Sequence, residues 1–129
     1  MMSNSDEKEV EFIDRLLVFK WDEGTNETIP KLINMSDILF FSTDDINGTT
    51  IFAVTDKDQY LIRSSLKELS QLPGFYKTDR SYVVNWSQAY SFDPTWNQLI
   101  FKSSDKKVNV AGSYFKALKS KILALPKHL

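Results

Sequence analysis

Apolar and β-branched residues come in short runs along this chain, separated by clusters of turn-forming residues, a pattern that predicts a mostly-β domain. The first run, 16–21 (LLVFKW), ends at Asp22-Glu23-Gly24-Thr25-Asn26. A returning strand follows at 28–33, where Pro30 argues for an edge strand or a strand start because it cannot donate to a ladder. Ile38–Thr43 (ILFFST) is the most apolar strand. It leads into Asp44-Asp45-Ile46-Asn47-Gly48, in which Asn-Gly is a strong hairpin signal. Strands at 50–55 and 59–63 flank Asp56-Lys57-Asp58.

A short helix is predicted over 66–72. Ser65 and Glu68 have the spacing of a capping box, Leu66, Leu69 and Leu72 share a face, and Pro73-Gly74 stops it. The next stretch, Gly74-Phe75-Tyr76-Lys77-Thr78-Asp79-Arg80-Ser81-Tyr82-Val83-Val84-Asn85, brackets three charged positions with apolar anchors and so holds them at a fixed place on the surface. A recognition element is built this way, and so is an ordinary charged turn between strands. Three further strands are expected at 89–93, 98–102 and 107–110. A closing helix over 113–125 buries Phe115, Leu118, Ile122 and Leu125 while Lys116, Lys119 and Lys121 lie off that face. The count is eight or nine strands and two short helices.

Composition narrows the function. The 129 residues make one domain able to bury a core, with a flexible acidic segment expected at 1–11, the domain at 12–126 and a tail at 127–129. The absence of cysteine removes disulfides and thiolate catalysis. No apolar run is long enough to span a bilayer, and the first residues lack the order of a signal peptide, so a soluble, cytoplasmic domain is expected. His128, the one histidine, sits in the tail, and no glycine-rich phosphate loop exists. The carboxylates of Asp44-Asp45 and of Asp56 and Asp58 are accounted for by turn chemistry. No enzyme, cofactor, metal site or small-molecule substrate is expected.

Charge is split along the chain. Residues 1–63 hold 6 Lys/Arg against 13 Asp/Glu, and residues 64–129 hold 10 against 4, so balances of −7 and +6 sum to the net −1. A basic half suits contact with a polyanion, although the halves could equally pair with each other.

The helix Ser65-Leu66-Lys67-Glu68-Leu69, followed by Phe75-Tyr76-Lys77 and Arg80-Ser81-Tyr82-Val83-Val84-Asn85, resembles the LytTR domain, the DNA-binding output domain of LytR/AlgR-type bacterial response regulators. The likeness runs from about residue 16 to 125, and takes in Asp37-Ile38-Leu39-Phe40-Phe41 and the closing strand and helix. It implies a stack of small antiparallel sheets whose edge loops, rather than a recognition helix, contact promoter repeats in double-stranded DNA, with a second copy on DNA or a related regulator as a further partner. By position, the implied contacts are Asn47, Gly48 and Thr49; Lys77, Asp79, Arg80 and Ser81; and Ser113, Tyr114 and Lys116. Lys102, Lys106, Lys107 and Lys119 are further candidates for phosphate contacts, which position without specifying sequence.

Two departures from the family pattern stand out. Asp79 occupies the place of the usual histidine, where a carboxylate repels phosphate but can accept from a cytosine amino group. Ala111-Gly112-Ser113 lacks the arginines that usually precede the last helix. Arg80 remains, able to read guanine or clamp a phosphate, or else to pair with Asp79. The alternative function is an interaction module that keeps the fold, has weak DNA affinity and modulates a DNA-binding partner through Trp86, Trp96 or Tyr114. The receiver domain usual before this domain is not among the 129 residues, so the chain is either free-standing or cut from a longer protein. In a free-standing chain, residues 6–14 could cover the basic face.

Overall fold

A computed structural model of the chain describes residues 14–43, 49–102 and 104–127. Among these residues ten strands form two antiparallel sheets. The larger is built from β1 (Arg15–Asp22), β2 (Glu27–Asn34), β3 (Ile38–Thr43), β4 (Ile51–Thr55), β5 (Gln59–Ile62), β6 (Phe75–Asp79) and β7 (Tyr82–Asn85), in the order β2-β1-β5-β4-β3-β7-β6. The smaller holds β8 (Ala89–Asp93), β9 (Gln98–Phe101) and β10 (Lys107–Asn109), with β9 in the middle. The described residues also form helices α1 (Leu66–Leu69) and α2 (Gly112–Leu123). Residues 74–85 account for the difference from the expected strand count, because they form a hairpin of two strands.

Alternation along β3 divides the core. Phe41 packs with Val83, Ala53 and Val18 on one face of the large sheet, which Leu66 and Leu69 of α1 cover. Phe40, with Val54 and Val84, packs on the other face against Phe101 and Leu99 of the small sheet and against Leu118 and Ile122 of α2. Successive strand residues point to opposite faces, so one apolar run can feed both layers. The rings of Phe40 and Phe101 stack at 5.6 Å across the layers.

Local chemistry sets the boundaries. The Ser65 Oγ accepts from the Glu68 amide, and the Glu68 carboxylate accepts from the Ser65 amide in return. The expected helix 66–72 is regular only to Leu69, and Leu72 donates to the Leu69 carbonyl as the last turn tightens. Pro73 disfavours helical geometry at Leu72, and Gly74 turns the chain at φ 81°, a region glycine enters without strain. Pro30 does lie on the edge strand β2, opposite Phe19. The β1–β2 ribbon leaves Leu17 and its cross-strand partner Leu32 more than half exposed, at 51% and 58%. At the other end of the chain, the Phe92 amide donates to the Pro126 carbonyl and Lys127 bridges Phe92, so residue 127, expected in the tail, stays attached to β8.

Two short 3-10 turns, Met35–Asp37 and Trp86–Gln88, were not expected; buried Asn85 joins them. Its Nδ2 donates to the Met35 and Ile38 carbonyls at 3.3 and 2.8 Å, while its Oδ1 accepts from the Ser87 amide and hydroxyl. Replacing it with alanine strands two carbonyls at the junction of β3 and β7. Asn85→Ala is therefore expected to cost about 2–4 kcal/mol, read as a lower urea midpoint with little change in slope.

Candidate nucleic-acid interface

The β6–β7 hairpin is shaped by two local features. Its register shifts between Lys77 and Asp79, leaving Thr78 as an extra residue in β6, and such a bulge re-aims the strand end. Asp79 then accepts from the Ser81 amide through Oδ1 at 3.0 Å, closing the turn as Asx side chains do. Arg80 stands exposed at the tip. Among the described residues no carboxylate pairs with Arg80, so the pairing with Asp79 that the sequence left open is not formed.

Backbone hydrogen bonds gather other connections around this turn. The Thr43 amide, where β3 ends, donates to the Ser81 carbonyl at 3.1 Å. The Ala111 amide, just before α2, donates to the Thr78 carbonyl at 2.9 Å. The neighbouring Val110 amide donates to the Asn97 carbonyl at 2.8 Å, which adds the β8–β9 turn. The β3–β4, β6–β7, β8–β9 and β10–α2 connections thus share one end of the molecule. The β4–β5 and β9–β10 turns share the other, where the Lys106 Nζ donates to the Asp56 carbonyl at 2.8 Å. No cluster of three metal-ligating side chains occurs among the described residues.

Comparison with known proteins places this arrangement. The LytTr DNA-binding domain model matches residues 30–123. The chain belongs to the LytTr DNA-binding domain family. A solved LytTr DNA-binding domain from Bacillus cereus superposes with a TM-score of 0.67 at 18% identity, covering 88% of this chain and all of that one, a likeness of fold. No curated protein matches the chain. The family is defined by binding DNA rather than by catalysis. No helix among the described residues is long and apolar enough to cross a membrane.

Within this LytTr domain the expected contact residues divide. Thr49 is exposed on the β3–β4 connection; Asn47 and Gly48, like Asp44, Asp45 and His128, lie outside the described residues, as do residues 1–11. Lys77 is half-buried on edge strand β6, with Asp79 and Ser81 in the turn beside Arg80. Ser113 and Lys116 are exposed near the start of α2, and Tyr114 is half-buried. Lys119 is exposed one turn further on, whereas the Lys121 ammonium sits over the Tyr76 ring at 4.5 Å. Lys102, Lys106 and Lys107 do not join this group, because antiparallel β9 carries the β9–β10 turn to the opposite end. Their place could not be read from charge alone.

The two positions at which the resemblance led to the expectation of basic residues also have a structural reading. Asp79 serves the turn, whereas the Asp58 carboxylate, in the far-end turn, accepts from the Tyr60 hydroxyl and the Lys20 ammonium rather than from a turn amide. Gly112 has open space where a Cβ would stand, so nothing in the fold requires glycine there. Asp79→Ala is expected to free the Ser81 amide, costing about 1 kcal/mol and raising its hydrogen-exchange rate several-fold, whereas Asp79→Asn retains the bond.

Proposed function

We propose that this LytTr domain binds double-stranded DNA sequence-specifically in transcription regulation, with two copies occupying adjacent promoter repeats. The observation that carries the reading is the exposed Arg80, without a carboxylate partner among the described residues, on a hairpin to which the β3–β4 and β10–α2 connections are hydrogen-bonded, with the β8–β9 turn bonded in turn to the latter. A guanidinium so placed can donate two parallel bonds to the O6 and N7 of guanine. Lys77, Lys116 and Lys119 neutralise flanking phosphates, and Thr49 and Ser113 supply neutral polar contacts. Ala111 gives α2 no side-chain cap, so the first amides of a 12-residue helix remain available to a phosphate beside the Arg80 turn. Recognition is confined to the end carrying these connections, and the far-end lysines contribute little.

Fluorescence anisotropy with a repeat-containing promoter duplex and a random duplex, each at two salt concentrations, tests this. Tight binding of the repeat duplex that weakens steeply with salt is expected, with Arg80→Ala reducing affinity about tenfold and the preference for the repeat falling with it. Gly112→Arg, which adds a cation at an open position, is expected to tighten binding by roughly three- to tenfold and to steepen the salt dependence by about one ion. Failure of every duplex to bind at low salt would overturn the reading in favour of a protein partner.

A further inference from the structure

We propose that Trp96, at the tip of the β8–β9 turn, is an additional contact of the DNA face and packs its indole against the deoxyribose–phosphate backbone beside the groove that Arg80 reads. The inference rests on the DNA-binding reading of that face. Trp96 is 71% exposed, the highest value among the exposed large hydrophobic residues described. Its exposure is not that of a loose loop, because the turn under it is fully braced. The buried Asp93 accepts from the Thr95 and Trp96 amides through Oδ1, at 2.9 and 3.4 Å. Asn97 takes a left-handed φ of 51°, and its carbonyl accepts from Val110. A rigid turn that leaves a large apolar side chain in water has not used that side chain for folding, and the ordering entropy of contact is already spent.

Two features select DNA as the occupant. One is continuity: the bonds from Asn97 to Val110 and from Ala111 to Thr78 lead through neighbouring residues to Arg80. With about 3.8 Å between successive Cα atoms and about 5 Å across each bonded pair, Trp96 and Arg80 stand no more than about 25 Å apart, less than the roughly 34 Å of one DNA turn. The other is charge. Pro94, Thr95, Trp96 and Asn97 carry none, and the Asp93 carboxylate is buried under the turn and accepts from its two amides, so no exposed carboxylate of this turn faces phosphate. An indole offers an apolar face to the sugar and an N–H to a phosphate oxygen, the two chemistries that alternate along a DNA strand.

The test uses the promoter duplex titration with Trp96→Ala and Trp96→Phe. Trp96→Ala is expected to weaken binding five- to thirtyfold, with Trp96→Phe intermediate. The salt dependence should stay at the wild-type slope, because no phosphate charge is left unneutralised, in contrast to Arg80→Ala, which should flatten it. The change in tryptophan emission on DNA binding should be lost or much reduced in Trp96→Ala. Urea midpoints of both variants should match the wild type, since the side chain buries little. If the wild type binds the duplex and Trp96→Ala binds it equally well, the Trp96 contact is wrong while the DNA reading stands. If the wild type binds no duplex, the DNA reading fails and this contact with it.

Discussion

Phe40 opposite Val84, Phe41 opposite Val83 and Ser42 opposite Tyr82 join β3 to β7, strands far apart in the chain. This pairing divides the apolar residues of the fold between two layers. Phe41 and Val83 are fully buried in the layer beneath α1, and Val84 is fully buried in the layer shared with the small sheet. Losing a phenylalanine from such a position costs about 3–5 kcal/mol, which is a large part of a small domain's stability. Asn85 continues the same join beyond the ladder, exchanging a strand pair for side-chain bonds to the carbonyls of Met35 and Ile38. Closing so long a connection is affordable because loop entropy rises only with the logarithm of length.

The same pairing builds the candidate interface. With β7 against β3, the turn that precedes β7 must fall beside the end of β3, and the Thr43–Ser81 bond records that contact. The second layer brings the β10–α2 junction to the Thr78 bulge, because Leu118 and Ile122 seat α2 against the core that the small sheet shares. The Arg80 turn, the start of α2 and the β8–β9 turn are each tied by a backbone bond to a neighbouring connection, so these candidate contacts have little order left to gain on binding.

The two positions where the resemblance led to the expectation of basic residues take on a different character in this setting. Asp79 is not a bare carboxylate placed against phosphate, since one oxygen closes the Arg80 turn. Before α2 stand Ala111 and Gly112, which carry no charge, and the helix start has no side-chain cap over its first backbone donors. The basic half of the sequence is itself divided, with Lys77, Lys116 and Lys119 near the clustered connections and Lys102, Lys106 and Lys107 at the other end.

Local chemistry determined much that could be read directly from the residues. The capping box of Ser65 and Glu68, the apolar strand Ile38–Thr43, Pro30 on an edge and the Leu118/Ile122 face of the last helix each depend on neighbours within a turn or two of chain. The ordered motif from Ser65 to Asn85 was also enough to suggest the family, because a dozen side chains at set spacings is specific. Tertiary structure alone decided which turns share an end, that Arg80 has no partner among the described carboxylates, that Lys106 is bonded at the end opposite the candidate interface and that Asn85 staples two 3-10 turns. These depend on strand order and direction, and period-2 patterning is the same whichever neighbour a strand chooses. Hydrophobic spacing says that a face is buried; only pairing says what stands beside it.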